Sequence, residues 1–123
     1  MLRNVGGRVN PALIESLELL VEVTKAAGRP NGPGTNLVLL HHTDCGINHC
    51  YHRVPGLLSR HLGVAPEKID DLAVTDPHEA VALDVAALRA DPRVPGGYVV
   101  SGMVYDVATG KVEVVVPPAP LRP

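Results

Sequence analysis

The sequence predicts an α/β fold. Three features carry that expectation. Leu13, Ile14, Leu17, Leu20 and Val21 recur at helical spacing. After a Pro/Gly-rich break, Leu37-Val38-Leu39-Leu40 form a short continuous apolar run that opens directly onto a polar cluster. Near the C-terminus two β-rich runs flank a hairpin-type connection. A buried strand with polar side chains at its carboxyl end is how open α/β sheets place their sites.

Taken in order, residues 1–9 read as a loop around Gly6-Gly7, most simply a tight turn. Asn10 suits a helix N-cap and Pro11 the first helical position. Glu15, Glu18 and Glu22 sit mostly off the apolar face, and Gly28 is placed to end the helix. Residues from Pro30 to Gly34 read as a flexible connector. The run from Leu37 to Leu40 predicts a strand covered on both faces. Val54-Pro55-Gly56 reads as a turn, and Leu57–Leu62 and Pro66–Leu72 as short helices. Asp76-Pro77-His78-Glu79 is a helix start with a capping box, and Val81, Val85 and Leu88 follow at helical spacing. Asp91-Pro92 stops that helix. Tyr98–Tyr105 and Lys111–Val116 predict two strands joined through residues 106–110, and Pro117–Pro123 an extended Pro-rich tail. No internal repeat is evident, and residues 1–123 fit a single domain.

Composition narrows the function classes. The chain is 46% hydrophobic yet has no Phe and no Trp, so its core must be aliphatic. A net charge of −2, no basic run and three Tyr argue against a nucleic-acid surface. No apolar stretch approaches the roughly 20 residues of a membrane span, and the N-terminus lacks the apolar core of a signal peptide. A cytoplasmic protein with reduced thiols is expected.

His41, His42, Cys45, His49, Cys50 and His52 fall within twelve residues and include both cysteines of the chain. Imidazole and thiolate together suit Zn2+. His42 and Cys45 stand three apart at a strand end, a spacing that lets both reach one metal. His41 is expected to point away from His42, because strand side chains alternate. Asp44 is expected either to orient a ligand or bound solvent, or only to cap the next helix. Arg3, Arg8, His61 and His78 are expected at the surface.

The stretch His41-His42-Thr43-Asp44-Cys45-Gly46 after Val38-Leu39-Leu40 resembles the β-class carbonic anhydrases. The segment from Arg3 to Arg8 resembles that family's Arg-Asn-Ala-Gly-Gly segment. Asp84-Val85 to Pro95, then Val100-Ser101-Gly102, Tyr105-Asp106-Val107 and Thr109-Gly110, resemble its closing helix and hairpin. The resemblance implies a mostly parallel sheet flanked by helices, with a C-terminal hairpin. It also implies a lyase (carbonate dehydratase) that hydrates CO2 to bicarbonate at zinc. His42 and Cys45 would be two of the zinc ligands, and a homodimer or higher oligomer is implied, the dimer favoured.

One departure shapes the expectation. The family's first zinc ligand lies in a Cys-x-Asp-x-Arg motif upstream of the Arg-Asn-Ala-Gly-Gly segment, and no Cys precedes Cys45. The family's first strands are missing with it, which leaves the strand at 37–40 an unpaired edge. Three explanations stand open: a start internal to a longer chain, a partner chain filling the gap, or a rebuilt site. In the last, His49, Cys50 or His52 would replace the lost Cys. Impaired CO2 hydration is the first expectation. A non-catalytic, zinc-binding or metal-free interaction subunit is the alternative, and a hydrolase of COS or CS2 is a third.

Overall fold

Three strands form one sheet in the order β1-β2-β3. Strand β1 (Thr35–His42) runs parallel to β2 (Tyr98–Tyr105), and β2 runs antiparallel to β3 (Val112–Pro120). The helices are α1 (Pro11–Ala26), α2 (Cys50–Arg53), α3 (Pro55–Leu62) and α4 (Pro77–Ala90). Single 3-10 turns occupy Val5–Gly7, Gly46–His49 and Pro66–Leu72. This computed structural model describes residues 1–29 and 35–122. The connector expected from Pro30 to Gly34 lies outside the described residues.

Local sequence explains the helix boundaries. The Asn10 side-chain oxygen accepts from the Leu13 N–H at 2.9 Å, with Pro11 at the first helical position. The Asn10 amide also donates to the His61 carbonyl at 2.9 Å, so this cap fastens α1 to α3. Asp76 caps α4 by accepting from the N–H groups of His78 and Glu79. The turn expected at residues 54–56 is instead the start of α3, with Pro55 at its first position, where a missing N–H costs nothing. The short helix expected at Pro66–Leu72 is present and is of the 3-10 kind. Strand β3 outruns its expected end at Val116: Ala119 and Pro120 still pair with Val100 and Val99 of β2. Proline is tolerated there because β3 is an edge strand.

Helix α4 lies across one face of the sheet. Its Val81, Val85 and Leu88 join Ile14 and Leu17 of α1, Leu39 of β1, and Val100 and Val104 of β2 in an aliphatic core. Each such buried side chain contributes roughly 1.5–3 kcal/mol. Gly102 sets the helix–sheet distance. A Cβ there would come within 3.0 Å of Val81 and 3.2 Å of Val85. A smaller core of Ile47, Leu58, Leu62, Ile69 and Val74 packs under the segment that follows β1. At the far end of α4, the Arg122 guanidinium donates to the carbonyls of Leu88, Arg89, Asp91 and Val94 and closes the chain's end onto the helix.

The other sheet face corrects an expectation. Strand β1 is covered on one face only: Val38 is 55% exposed and Leu40 54%. Tyr105, Val112 and Val114 continue this apolar surface across β2 and β3. Among the described residues no strand pairs with the second edge of β1, in keeping with the unpaired edge expected there.

Asn10→Ala removes an N-cap and the link to α3 together. We expect a loss of about 1–2 kcal/mol in urea unfolding. An unchanged midpoint would show that the cap is dispensable.

Candidate metal centre

The site is built where β1 ends. The Thr43 N–H donates to the Tyr105 carbonyl at 2.9 Å, which prolongs the β1–β2 register past His42. The Thr43 hydroxyl accepts from the Val107 N–H at 3.1 Å, so the β2–β3 hairpin clamps the turn. Asp44 then takes a left-handed backbone (φ 52°), which Asp tolerates better than most residues. That reversal leads to Cys45, and the chain enters the turn Gly46–His49. Asp44 does not cap this turn; Cys45 occupies the cap position, with no side-chain bond.

His42, Asp44 and Cys45 line one cavity of about 180 Å3, together with Arg8, His41 and His78. His42 is exposed and Cys45 half-buried. The His42 ring nitrogen Nδ1 lies 2.7 Å from the Thr43 carbonyl. A carbonyl only accepts, so in the neutral ring this contact favours the tautomer with the proton on Nδ1, which leaves Nε2 as the acceptor nitrogen. His49, Cys50 and His52 do not line the cavity. Positions three apart eclipse in a 3-10 turn, so Asn48 returns to the side of Cys45 and the next residues rotate away. Among the described residues, no group of three or more His, Cys, Asp or Glu could hold a metal ion. Neither cysteine is in a disulfide.

The floor of the cavity was not anticipated. Arg8, expected at the surface, is 3% exposed, and Asp84 of α4 is 4% exposed. Arg8 Nε donates to Asp84 Oδ2 at 2.9 Å and Nη2 to Oδ1 at 3.1 Å, while Nη1 donates to the Leu72 carbonyl at 2.8 Å. The Val9 N–H donates to the same carboxylate at 3.0 Å. His41 does face away from His42, as alternation requires, yet it lies under the same cavity. Its Nε2 is 3.3 Å from Asp84 Oδ2, too poorly aligned for a hydrogen bond. Gly7 (φ 64°) permits this packing, since a Cβ there would meet the Leu40 carbonyl at 3.3 Å and the His41 ring at 3.4 Å. His78 is exposed, as expected, and stands at the cavity rim with Nε2 at 2.8 Å from Glu113. A signal for Asp84 was present: it is a lone acid on the buried stripe of Val81, Val85 and Leu88.

Neither a family model nor a curated protein matches the sequence, but solved structures do. A carbonic anhydrase from Streptococcus mutans is 38% identical over 93% of this chain and 64% of its own, with a TM-score of 0.63. This is a β-carbonic-anhydrase-like chain. The apo form of a carbon disulfide hydrolase is 25% identical over 91% of the chain and 63% of its own, with a TM-score of 0.63. A β-carbonic anhydrase of Trichomonas vaginalis, 18% identical, shares the fold at a TM-score of 0.56 over 94% of the chain and 64% of its own. The carbonic-anhydrase-like chain thus spans just under two thirds of the length of these structures.

The donor set agrees with zinc in kind and falls short in number. His42 and Cys45 are the right ligand types, but zinc sites of the catalytic kind use three protein ligands. The residues described do not make a complete zinc site.

Burial alone would raise the Asp84 pKa. The His41 and Arg8 contacts, the Arg8 charge and the Val9 N–H outweigh it and hold the carboxyl below its ordinary range. A depressed folded pKa means stability that is complete above the unfolded value of about 4 and lost as pH falls through the folded one. Asp84→Asn should therefore flatten the loss of stability as pH falls below the unfolded value of about 4. At neutral pH it should cost about 3–5 kcal/mol, because Arg8 stays buried without its counter-charge. Urea unfolding across this range checks both, and an acid limb as steep as in the unsubstituted protein would assign the acid dependence to other groups.

Proposed function

We propose that this chain carries part of a carbonic anhydrase zinc centre, with CO2 and bicarbonate as its substrate pair and carbonate dehydratase (lyase) chemistry as its family activity. His42 and Cys45 are the proposed metal ligands. In the chain as it stands the activity is impaired. The observation that carries this reading is the meeting of an imidazole and a cysteine sulfur at one cavity, at the carboxyl end of β1, with no third donor grouped with them among the described residues. Asp44 lines the same cavity and is the proposed partner for a ligand or bound solvent. The likeness to a Streptococcus mutans carbonic anhydrase supports the substrate class.

The alternative is a carbonic-anhydrase-like interaction subunit without catalysis. The incomplete donor set and the apolar sheet face of Val38, Leu40, Val112 and Val114 favour it. A homodimer that covers this face is consistent with either reading. Hydrolysis of COS or CS2 is the third reading, supported by the likeness to a carbon disulfide hydrolase. A cytoplasmic setting would keep Cys45 reduced. No helix among the described residues is long and apolar enough to cross a membrane.

Metal analysis after zinc saturation, with His42→Ala and Cys45→Ser alongside, tests the site, and stopped-flow CO2 hydration tests the activity. We expect zinc in the unsubstituted chain, its loss in both variants, and a slow hydration rate that only the unsubstituted chain shows. Equal rates in all three would sink the catalytic reading. Equal zinc in all three would move the metal elsewhere.

A further inference from the structure

Helix α1 has an outward face that neither the core nor the strand-end cavity uses. Ile14, Leu17 and Val21 bury one side of the helix. At about 100° per residue, Ala12, Leu19, Val23 and Ala26 fall together on the opposite side, and all four are exposed. Leu19 is 59% exposed and Val23 61%, with Leu20 beside them at 45%. A surface helix normally has one apolar stripe, turned to the core; this one has two. Charge edges the second stripe. Glu15, Glu18, Leu19 and Glu22 line a groove of about 270 Å3 with Arg93. The groove shares no residue with the cavity at the end of β1, so its role is independent of the zinc-centre reading. Arg93 is held by Asp91, Nε donating at 3.0 Å and Nη2 at 2.7 Å, and reaches Glu18 only at 3.8 Å. Lys25 stands 3.3 Å from Glu22. Four carboxylates against two cations leave the groove and its rim negative.

That charge selects the occupant. Glu15, Glu18 and Glu22 would repel an anionic lipid surface or a nucleic-acid backbone. Two copies of the chain packed antiparallel through this face, about a two-fold axis, would set the glutamate row against itself. Packed parallel, they would set it against the apolar edge of Leu20 and Ala27. A helix bearing lysine or arginine meets both parts of the surface: its apolar residues cover Leu19 and Val23, and its cations reach the glutamates. We infer that the outward face of α1 docks a cationic amphipathic helix of a partner protein.

The probe is a fluorescently labelled synthetic helix of leucine and lysine with one apolar stripe, titrated with the protein and read by anisotropy. The same helix with glutamate for each lysine is the control. We expect saturable micromolar binding of the lysine helix and none of the glutamate helix. The Kd should rise as salt is raised from about 0.15 M to about 0.5 M. Leu19→Ser with Val23→Ser should raise it about tenfold or more, the scale of burying two apolar side chains. Glu15→Gln with Glu22→Gln should raise it about threefold or more, as two rim charges would. All four residues are exposed, so these substitutions leave the fold intact, which circular dichroism checks. Val112→Ser with Val114→Ser, on the open sheet face, should leave the Kd unchanged. A Kd that responds only to the sheet substitutions, equal binding of the two helices, or no saturable binding would overturn the inference. So would a dimer in sedimentation that Leu19→Ser with Val23→Ser dissolves, because the occupant would then be a second copy.

Discussion

The buried Arg8–Asp84 pair is the constraint on which the rest of this structure depends. Taking two charges out of water costs several kcal/mol per ion, and their attraction offsets this only with good geometry and satisfied hydrogen bonds. Both conditions hold. Arg8 binds Asp84 through two nitrogens and the Leu72 carbonyl through a third. Asp84 also accepts from the Val9 backbone and has the His41 ring beside it. One carboxylate thus joins the N-terminal segment, the end of β1 and the middle of α4. The left-handed Gly6 and Gly7 fold the chain so that Arg8 reaches it. Without that juncture the small core gives little reason for residues 1–9 to pack against β1 at all.

The sheet shows the opposite condition, a surface left incomplete. α4 covers the face of Leu39, Val100 and Val104, and nothing among the described residues covers the face of Val38, Leu40 and Val114. Strand β1 also ends the sheet with no proline, no lysine and an unbroken register of eight pairs to β2. Native edges are usually blunted by such devices. An unblunted edge beside an apolar face is a surface on which a further strand or another chain could pack.

Much of the architecture was legible because its signals are local. Asn10-Pro11 and Asp76-Pro77 fix helix starts through a side-chain acceptor and a preset φ, and both caps are present. The hairpin and the order of elements followed from β-rich runs around Gly110. The reading of β1 as doubly covered failed because Leu37–Leu40 is apolar at every position. A continuous run reports hydrophobicity and says nothing of whether a neighbour is there to bury it. Arg8 was misplaced for a related reason. Its partner stands 76 residues away, and no local pattern around an arginine announces a distant carboxylate. Asp84 could have been found from its own helix. The position of His42 and Cys45 at one cavity followed from strand-end spacing, whereas the direction of His49, Cys50 and His52 depended on a 3-10 turn whose phase the sequence does not display.

Fold and chemistry are separable in this molecule because different residues hold each. The main aliphatic core, the Asn10 and Asp76 caps and the Arg8–Asp84 pair involve neither His42 nor Cys45, while Cys45 also packs against the smaller core. The turn that bears those two residues is held by backbone and hydroxyl bonds from Thr43 to the hairpin, again without their side chains. The main core, the caps and the buried pair can hold such a fold while the side chains at the cavity vary. That explains how solved structures of this one fold include both carbonic anhydrases and a carbon disulfide hydrolase. Packing and the buried pair hold the fold, and whatever chemistry the chain carries rests on the few side chains gathered at the end of β1.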